Sequence, residues 1–288
     1  MPLHLSEPVG IDPRVDVVFQ KLFGDPQHER VLLQFLNDVL APPVPITRAE
    51  VRNPFHPGMF ADHKSVIVDV EARDETGRTF QVEMQRLSDR GLEQRMLYGW
   101  ARLYVEQLSR GASYASLLPV VSIWLCEADA FPDEPDAHLR YGVMNVRRQT
   151  PRMPDFRLEV LQLSRWTRDR SALASETSMP WFWFMNEAQS WREVPASIDN
   201  EALEEAMEIL NEFRTDVALN DLYRARLEAE RVEKGRQEEL EDARAELEAA
   251  RALAEQERAA KEAERAAKEA ALAELAALRA ALGRDPKG

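Results

Sequence analysis

The sequence predicts an α/β protein followed by a long C-terminal helix. Three observations carry this. Two helix-period apolar patterns stand near the N-terminus. Two segments of alternating apolar and polar residues follow, joined by a glycine-containing turn. The last sixty residues collapse to Ala, Glu, Arg, Leu and Lys. A chain of 288 residues has room for one substantial domain and an appendage. Composition divides it into residues 1–130, a segment 131–225 that completes the globular part, and a tail 226–288.

The first helix is read from RVDVVFQKLFG (14–24), where Val15, Val18, Phe19, Leu22 and Phe23 share a face and Gly24 is the expected stop. The second covers 27–40, with Val31, Leu32, Phe35, Leu36 and Leu40 on its apolar side and Pro42 and Pro43 beyond it. In KSVIVDVEARDETGRTFQVEMQR (64–86), Val66, Val68 and Val70 alternate with Ile67, Asp69 and Glu71. After the turn, Phe80, Val82 and Met84 alternate with Gln81, Glu83 and Gln85. Period-2 patterning is the mark of strands.

Between the strands, Glu75-Thr76-Gly77 fits a three-residue hairpin loop, a type I turn closed by a left-handed glycine. That loop sets the register. Asp74 pairs with Arg78, Glu71 with Gln81, Asp69 with Glu83 and Ile67 with Gln85. Directly opposed side chains have Cβ atoms about 5 Å apart. Two carboxylates so placed repel unless a cation sits between them, and a divalent ion with hard oxygen ligands suits that position. Acids on the outer face of a solvated hairpin are the plainer alternative.

The tail carries a seven-residue repeat. Ala252, Ala259, Ala266, Ala273 and Ala280 recur at one position, with Ala263, Ala270 and Ala277 four residues after it. Such a repeat favours a left-handed supercoil and predicts a homo-oligomer joined through residues 226–283. A single solvated helix held by i,i+4 ion pairs is the other reading. Gly235 is the expected weak point.

Several classes are set aside. No basic and apolar leader opens the chain, and no run approaches the roughly 20 apolar residues of a membrane span. A cytoplasmic protein without membrane association is expected. One cysteine, Cys126, precludes an internal disulfide, and its apolar surroundings make it a core residue. The five histidines show no paired ligand spacing. A net charge of -14 argues against a general nucleic-acid coat, yet leaves a metal-dependent nuclease open.

Asp69 followed by Glu83-Met84-Gln85, each within an apolar strand, resembles the active-site signature of PD-(D/E)XK nucleases. The chain is more specifically similar to the PD-(D/E)XK family transposases, the recombination-promoting nucleases. The resemblance runs in order through DVVFQKLFG (16–24), VIVDVEARDETGRTFQVEMQ (66–85), RMLYGWARLYVEQLSRGASYASLLPVVSIWL (95–125), MPWFWFMN (179–186) and EALEEAMEILNEFRTD (201–216), and covers most of residues 12–230.

It implies a nuclease core, with a mixed central sheet flanked by helices, and a Mg²⁺-dependent DNA endonuclease. Low sequence specificity is expected because no helix-turn-helix or zinc-finger pattern is visible. Mn²⁺ is an alternative metal. Asp69, Glu83 and the Met84 carbonyl would be metal ligands, and Gln85 stands where the pattern has lysine. Glutamine can orient water but carries no positive charge. Asp16 is a candidate further carboxylate or, equally, an acid favoured by the helix dipole. Lys21, Lys64 and the spaced set Arg95, Tyr98 and Arg102 are candidate DNA contacts, although a packed Tyr98 with solvated arginines is the blander reading. Gly111 and Tyr114 are expected to shape the turn into the next strand, and Trp181, Trp183 and Trp191 to be core. The glutamine at 85 and the acidic balance keep a second reading open: a nuclease-fold interaction protein that oligomerises through its C-terminal helix.

Overall fold

The computed structural model describes residues 3–53, 55, 70–86, 91–166 and 176–282. They form two units, one ending at Glu230 and one beginning at Arg231. In the first, helices α1 (Asp16–Gly24) and α2 (Glu29–Leu40) precede strands β1 (Ala49–Val51), β2 (Val70–Asp74) and β3 (Thr79–Gln85). Helix α3 (Leu92–Glu106) then crosses to β4 (Val120–Cys126). Strands β5 (His138–Gly142), β6 (Met144–Asn145), β7 (Thr150–Pro151) and β8 (Phe156–Gln162) follow. Helices α4 (Met179–Glu187), α5 (Glu201–Thr215) and α6 (Val217–Leu282) close the order.

The main sheet has six strands in the order β1-β2-β3-β4-β8-β5. β3, β4 and β8 run parallel, while β1, β2 and β5 are antiparallel to their neighbours. Parallel neighbours require a crossover, which α3 supplies between β3 and β4. Strands from both sides of residue 130 share this sheet.

Over the described residues the hairpin register is the one the turn predicts; the expected pairs Asp69–Glu83 and Ile67–Gln85 lie outside them. Val70 faces Val82, Glu71 faces Gln81, Ala72 faces Phe80 and Arg73 faces Thr79. Gly77 has φ +85°, the left-handed value that closes the loop, and its N–H donates to the Asp74 carbonyl at 3.0 Å. The Asp74 carboxylate accepts from the Thr76 and Arg78 backbone N–H groups, at 3.0 and 2.9 Å, and fixes the turn further.

Alternation along β3 splits the two sides of the sheet. Phe80, Val82 and Met84 join the large core under α1, α2, α4 and α5, with Val70, Ala72, Ile123 and Leu125. The other face packs on α3 through a smaller apolar group that includes Met96, Trp124, Cys126 and Val160. Every residue of β3 is buried, so its glutamines and Glu83 need hydrogen-bond partners within the fold.

One helix end departs from expectation and one agrees with it. Gly24 is the last residue of α1 rather than a left-handed stop, and the extended Asp25 with Pro26 ends the helix. A Cβ at Gly24 would lie 2.9 Å from the Gln20 amide nitrogen, so the Gln20 side chain would have to shift to admit one. α2 ends at Ala41, a left-handed residue (φ 42°) whose N–H donates to the Asn37 carbonyl. Gly111, at φ +85°, turns the chain after α3. The Trp-rich stretch is helix α4. Trp181 is fully buried, with its indole N–H on Asp38 at 2.8 Å, and Trp191 is also buried. α6 runs unbroken through Gly235.

Candidate active site on the β2–β3 hairpin

Gln81, Glu83 and Gln85 project from alternate positions of β3 to the side covered by α3. Gly99 of α3 lets the helix descend on this row, since a Cβ there would stand 3.2 Å from the Gln81 amide. The Gln81 amide nitrogen donates to Glu83 Oε1 at 2.7 Å. Its carbonyl oxygen accepts from the Ser122 hydroxyl at 3.2 Å, and Ser122 accepts from the Trp124 indole at 2.9 Å. Arg95, from the first turn of α3, donates to Gln85 Oε1 at 2.8 Å. It lies 3.7 Å from Glu83 Oε2 and rests over the Trp124 ring. A buried carboxylate thus has an amide on one oxygen and a guanidinium near the other.

The backbone adds one more oxygen. The Gln85 carbonyl accepts from Glu127 N, beyond the end of β4. Carbonyls alternate in direction along a strand, so the Met84 carbonyl points to the opposite edge, the one shared with β2. Cys126, beside this row, is buried. Desolvation pushes its thiol up to about 12 against the opposing pull of Arg95, which disfavours the thiolate while the residue is buried.

A second charged layer adjoins the end of β3. Arg86, next to Gln85, pairs with Glu127 at 2.9 Å, with Asp12 at 3.4 Å and with Glu230 at closer range. Asp12 also takes Arg14 at 2.9 Å, and Asp16 holds Arg226 in a buried pair with Nε at 2.8 Å from Oδ2. Four carboxylates here face three guanidinium groups. Burial, aided by Asp16 and Asp12 and opposed by Arg86, pushes Glu230 up to about 7.

The expected site residues divide as follows. Glu83, Met84, Gln85 and Arg95 come together. Asp69 and Lys64 lie outside the described residues. Asp16 lies in the charged layer beside the end of β3 and engages Arg226 in a buried pair. Lys21 is buried between Asp25 (3.3 Å) and Glu212 (3.2 Å), which removes it from the candidate phosphate contacts. Tyr98 and Arg102 are exposed on α3, with Arg102 paired to Glu106 at 3.4 Å. Arg95 is exposed as well, with its guanidinium reaching Gln85. Gln81 and Ser122 were not foreseen as site residues. The polar residue at every second position of β3 was visible in the sequence, whereas Ser122 and the Arg86 layer come from contacts between distant segments.

Among the described residues no three His, Cys, Asp or Glu side chains gather as a metal-binding group. The donors present are hard oxygens: the Glu83 carboxylate, the Gln85 amide oxygen and the Met84 carbonyl. They suit Mg²⁺ or Mn²⁺ better than a softer ion, and need a second carboxylate.

A mixed sheet whose central hairpin carries an acid-x-amide pair, flanked by helices on both faces, defines the class as a PD-(D/E)XK-type nuclease fold. The chain belongs to the PD-(D/E)XK nuclease family transposases, whose family model matches residues 13–243. No curated protein and no solved structure matches it.

Proposed function

We propose that the protein is a Mg²⁺-dependent DNA endonuclease of low sequence specificity, with Mn²⁺ able to substitute. The observation that carries this reading is the hairpin register. Paired positions run from Arg73 and Thr79 to Val70 and Val82, and the same register extended by one pair would set Asp69 opposite Glu83. Asp69, Glu83 and the Met84 carbonyl would hold the metal. When bound, such an ion polarises a phosphodiester and acidifies its water. Gln85 orients the attacking water through its amide. Arg95, bonded to Gln85, supplies the positive charge that the glutamine lacks. Gln81 holds the Glu83 carboxylate in place. Water adds to phosphorus as one ester P–O bond breaks, and the departing oxygen takes up a proton. Low specificity is supported by the absence of a helix-turn-helix or zinc-finger pattern in the sequence.

The test is plasmid nicking with Mg²⁺, Mn²⁺ or EDTA, run beside Asp69→Ala and Glu83→Ala. Metal-dependent nicking lost in both variants is expected. Equal nicking by all three proteins would remove the site. One observation favours a second reading, an interaction protein that assembles through residues 226–283: Glu83 already has Gln81 and Arg95 as partners. No nicking by any of the proteins on any DNA form would move the assignment there.

A further inference from the structure

Between β5 and β8 the chain leaves the sheet and returns through the two-stranded ribbon β6–β7. Met144 pairs with Pro151 and Asn145 with Thr150. The tip is preorganised. Asn145 Oδ1 accepts from the N–H groups of Arg147 (3.1 Å) and Arg148 (3.0 Å), the Gln149 N–H reaches the Asn145 carbonyl at 2.7 Å, and Gln149 is left-handed. Arg152 N–H ties the base to the Val143 carbonyl at 2.8 Å. Every residue from 144 to 154 is exposed.

The composition of this arm is set apart from the rest of the chain. Against a net charge of -14, residues 137–154 carry four arginines and no acid. Three of them, Arg147, Arg148 and Arg152, lie on the arm, and among the described residues their guanidinium groups have no partner, unlike Arg14, Arg30, Arg78, Arg86 and Arg226. Beside them Met144, Val146 and Met153 are exposed at 54, 85 and 70%. Free arginines with apolar side chains on a narrow ribbon match duplex DNA. The phosphates take the charge, the major groove admits a two-stranded ribbon, and apolar side chains meet thymine methyls or base steps.

The arm is also in reach of the hairpin row. Glu83 is level with Trp124 and Val160, and the arm rejoins the sheet at Phe156. Two strand spacings across and four residues along put its base roughly 16 Å from Glu83. That is less than one turn of B-DNA, about 34 Å. α3 bridges the same span. Arg95 touches Gln85 at one end, while at the other Tyr104 donates to Asp155 at 2.8 Å and Trp100 packs on Phe156. Exposed Tyr98 and Arg102 stand between.

We infer that residues 143–154 are a DNA-docking arm that holds a duplex against the hairpin row; this rests on the nuclease reading. The test uses the full chain in EDTA with a 30-base-pair duplex, read by fluorescence anisotropy over a salt series. The triple variant Arg147→Ala/Arg148→Ala/Arg152→Ala should bind on the order of tenfold more weakly or worse, with a salt slope lower by about 2–3. Its melting temperature should be unchanged. The triple Arg→Lys variant should keep the slope, and Val146→Ser should weaken binding without changing it. Equal affinity and slope in wild type and the triple Ala variant would overturn the arm. So would wild-type protein that binds no DNA, or arm-dependent binding to phosphatidylserine vesicles without binding to DNA. The nuclease reading is scored separately by nicking in Mg²⁺. Arm-dependent binding without nicking supports the arm and sinks the nuclease, and nicking with arm-independent binding does the reverse.

Discussion

Asp16 and Arg226 are 210 positions apart in sequence yet form a pair with side chains about 95% out of solvent. Removing one member of such a pair strands the other charge. Asp16→Ala should therefore cost about 3–5 kcal/mol, seen as a lower midpoint in urea. The same substitution should leave any Mg²⁺-induced rise in melting temperature intact, since Asp16 faces Arg226. Loss of the metal response alone, with stability kept, would return Asp16 to the metal site. Gly77 is held by conformation and by contact. Its φ of +85° and a Cβ position 2.5 Å from Leu118 Cδ1 make Gly77→Ala unfavourable by about 1–2 kcal/mol, a fall in melting temperature. Glycine at 77 was legible because a hairpin loop of that length demands a left-handed residue at one place. The partner of Asp16 was not, because no local rule links residue 16 to residue 226.

At the scale of elements, the base of α6 is fastened to the end of β3. Glu230 reaches Arg86, the residue after Gln85, and is held up to about 7 by burial. Its carboxyl releases a proton near 4.3 in the unfolded chain. The native state therefore binds the extra proton between those values. Stability from this group is full below about pH 4 and lost as pH rises through 7. Glu230→Gln should flatten that decline and raise stability above pH 7, by up to about 3 kcal/mol. A melting profile from pH 5 to 8 checks it, and parallel curves for the two proteins would refute it. The strands, helices and hairpin register were readable because periodicity and turn chemistry are local. The interior role of β3 was half readable. Its alternation named an apolar face, but only α3, brought down by Gly99, turns the polar face into a buried row. Lys21 misled for a related reason: a cation near a helix end looks available until Glu212 of α5 arrives beside it.

For the whole molecule, the globular unit ends at Glu230, so Arg226 and Glu230 belong to it. The tail from Arg231 presents Leu240, Leu247, Leu253, Leu272, Leu275 and Leu278 to solvent, and it carries the alanine repeat. Exposed leucines along a helix are the material of a helix–helix seam. A chain cut after Glu230 should keep its melting transition and fall in oligomeric order by light scattering, and an unchanged mass would dismiss the seam. No helix among the described residues is long and apolar enough to cross a membrane. Cys126, finally, gives the molecule a built-in clock. As the sole thiol, sealed at the end of β4 beneath α3, it reacts with an alkylating reagent only while the helix is lifted. Its labelling rate would count how often the polar row of β3 meets water, before any substrate is known.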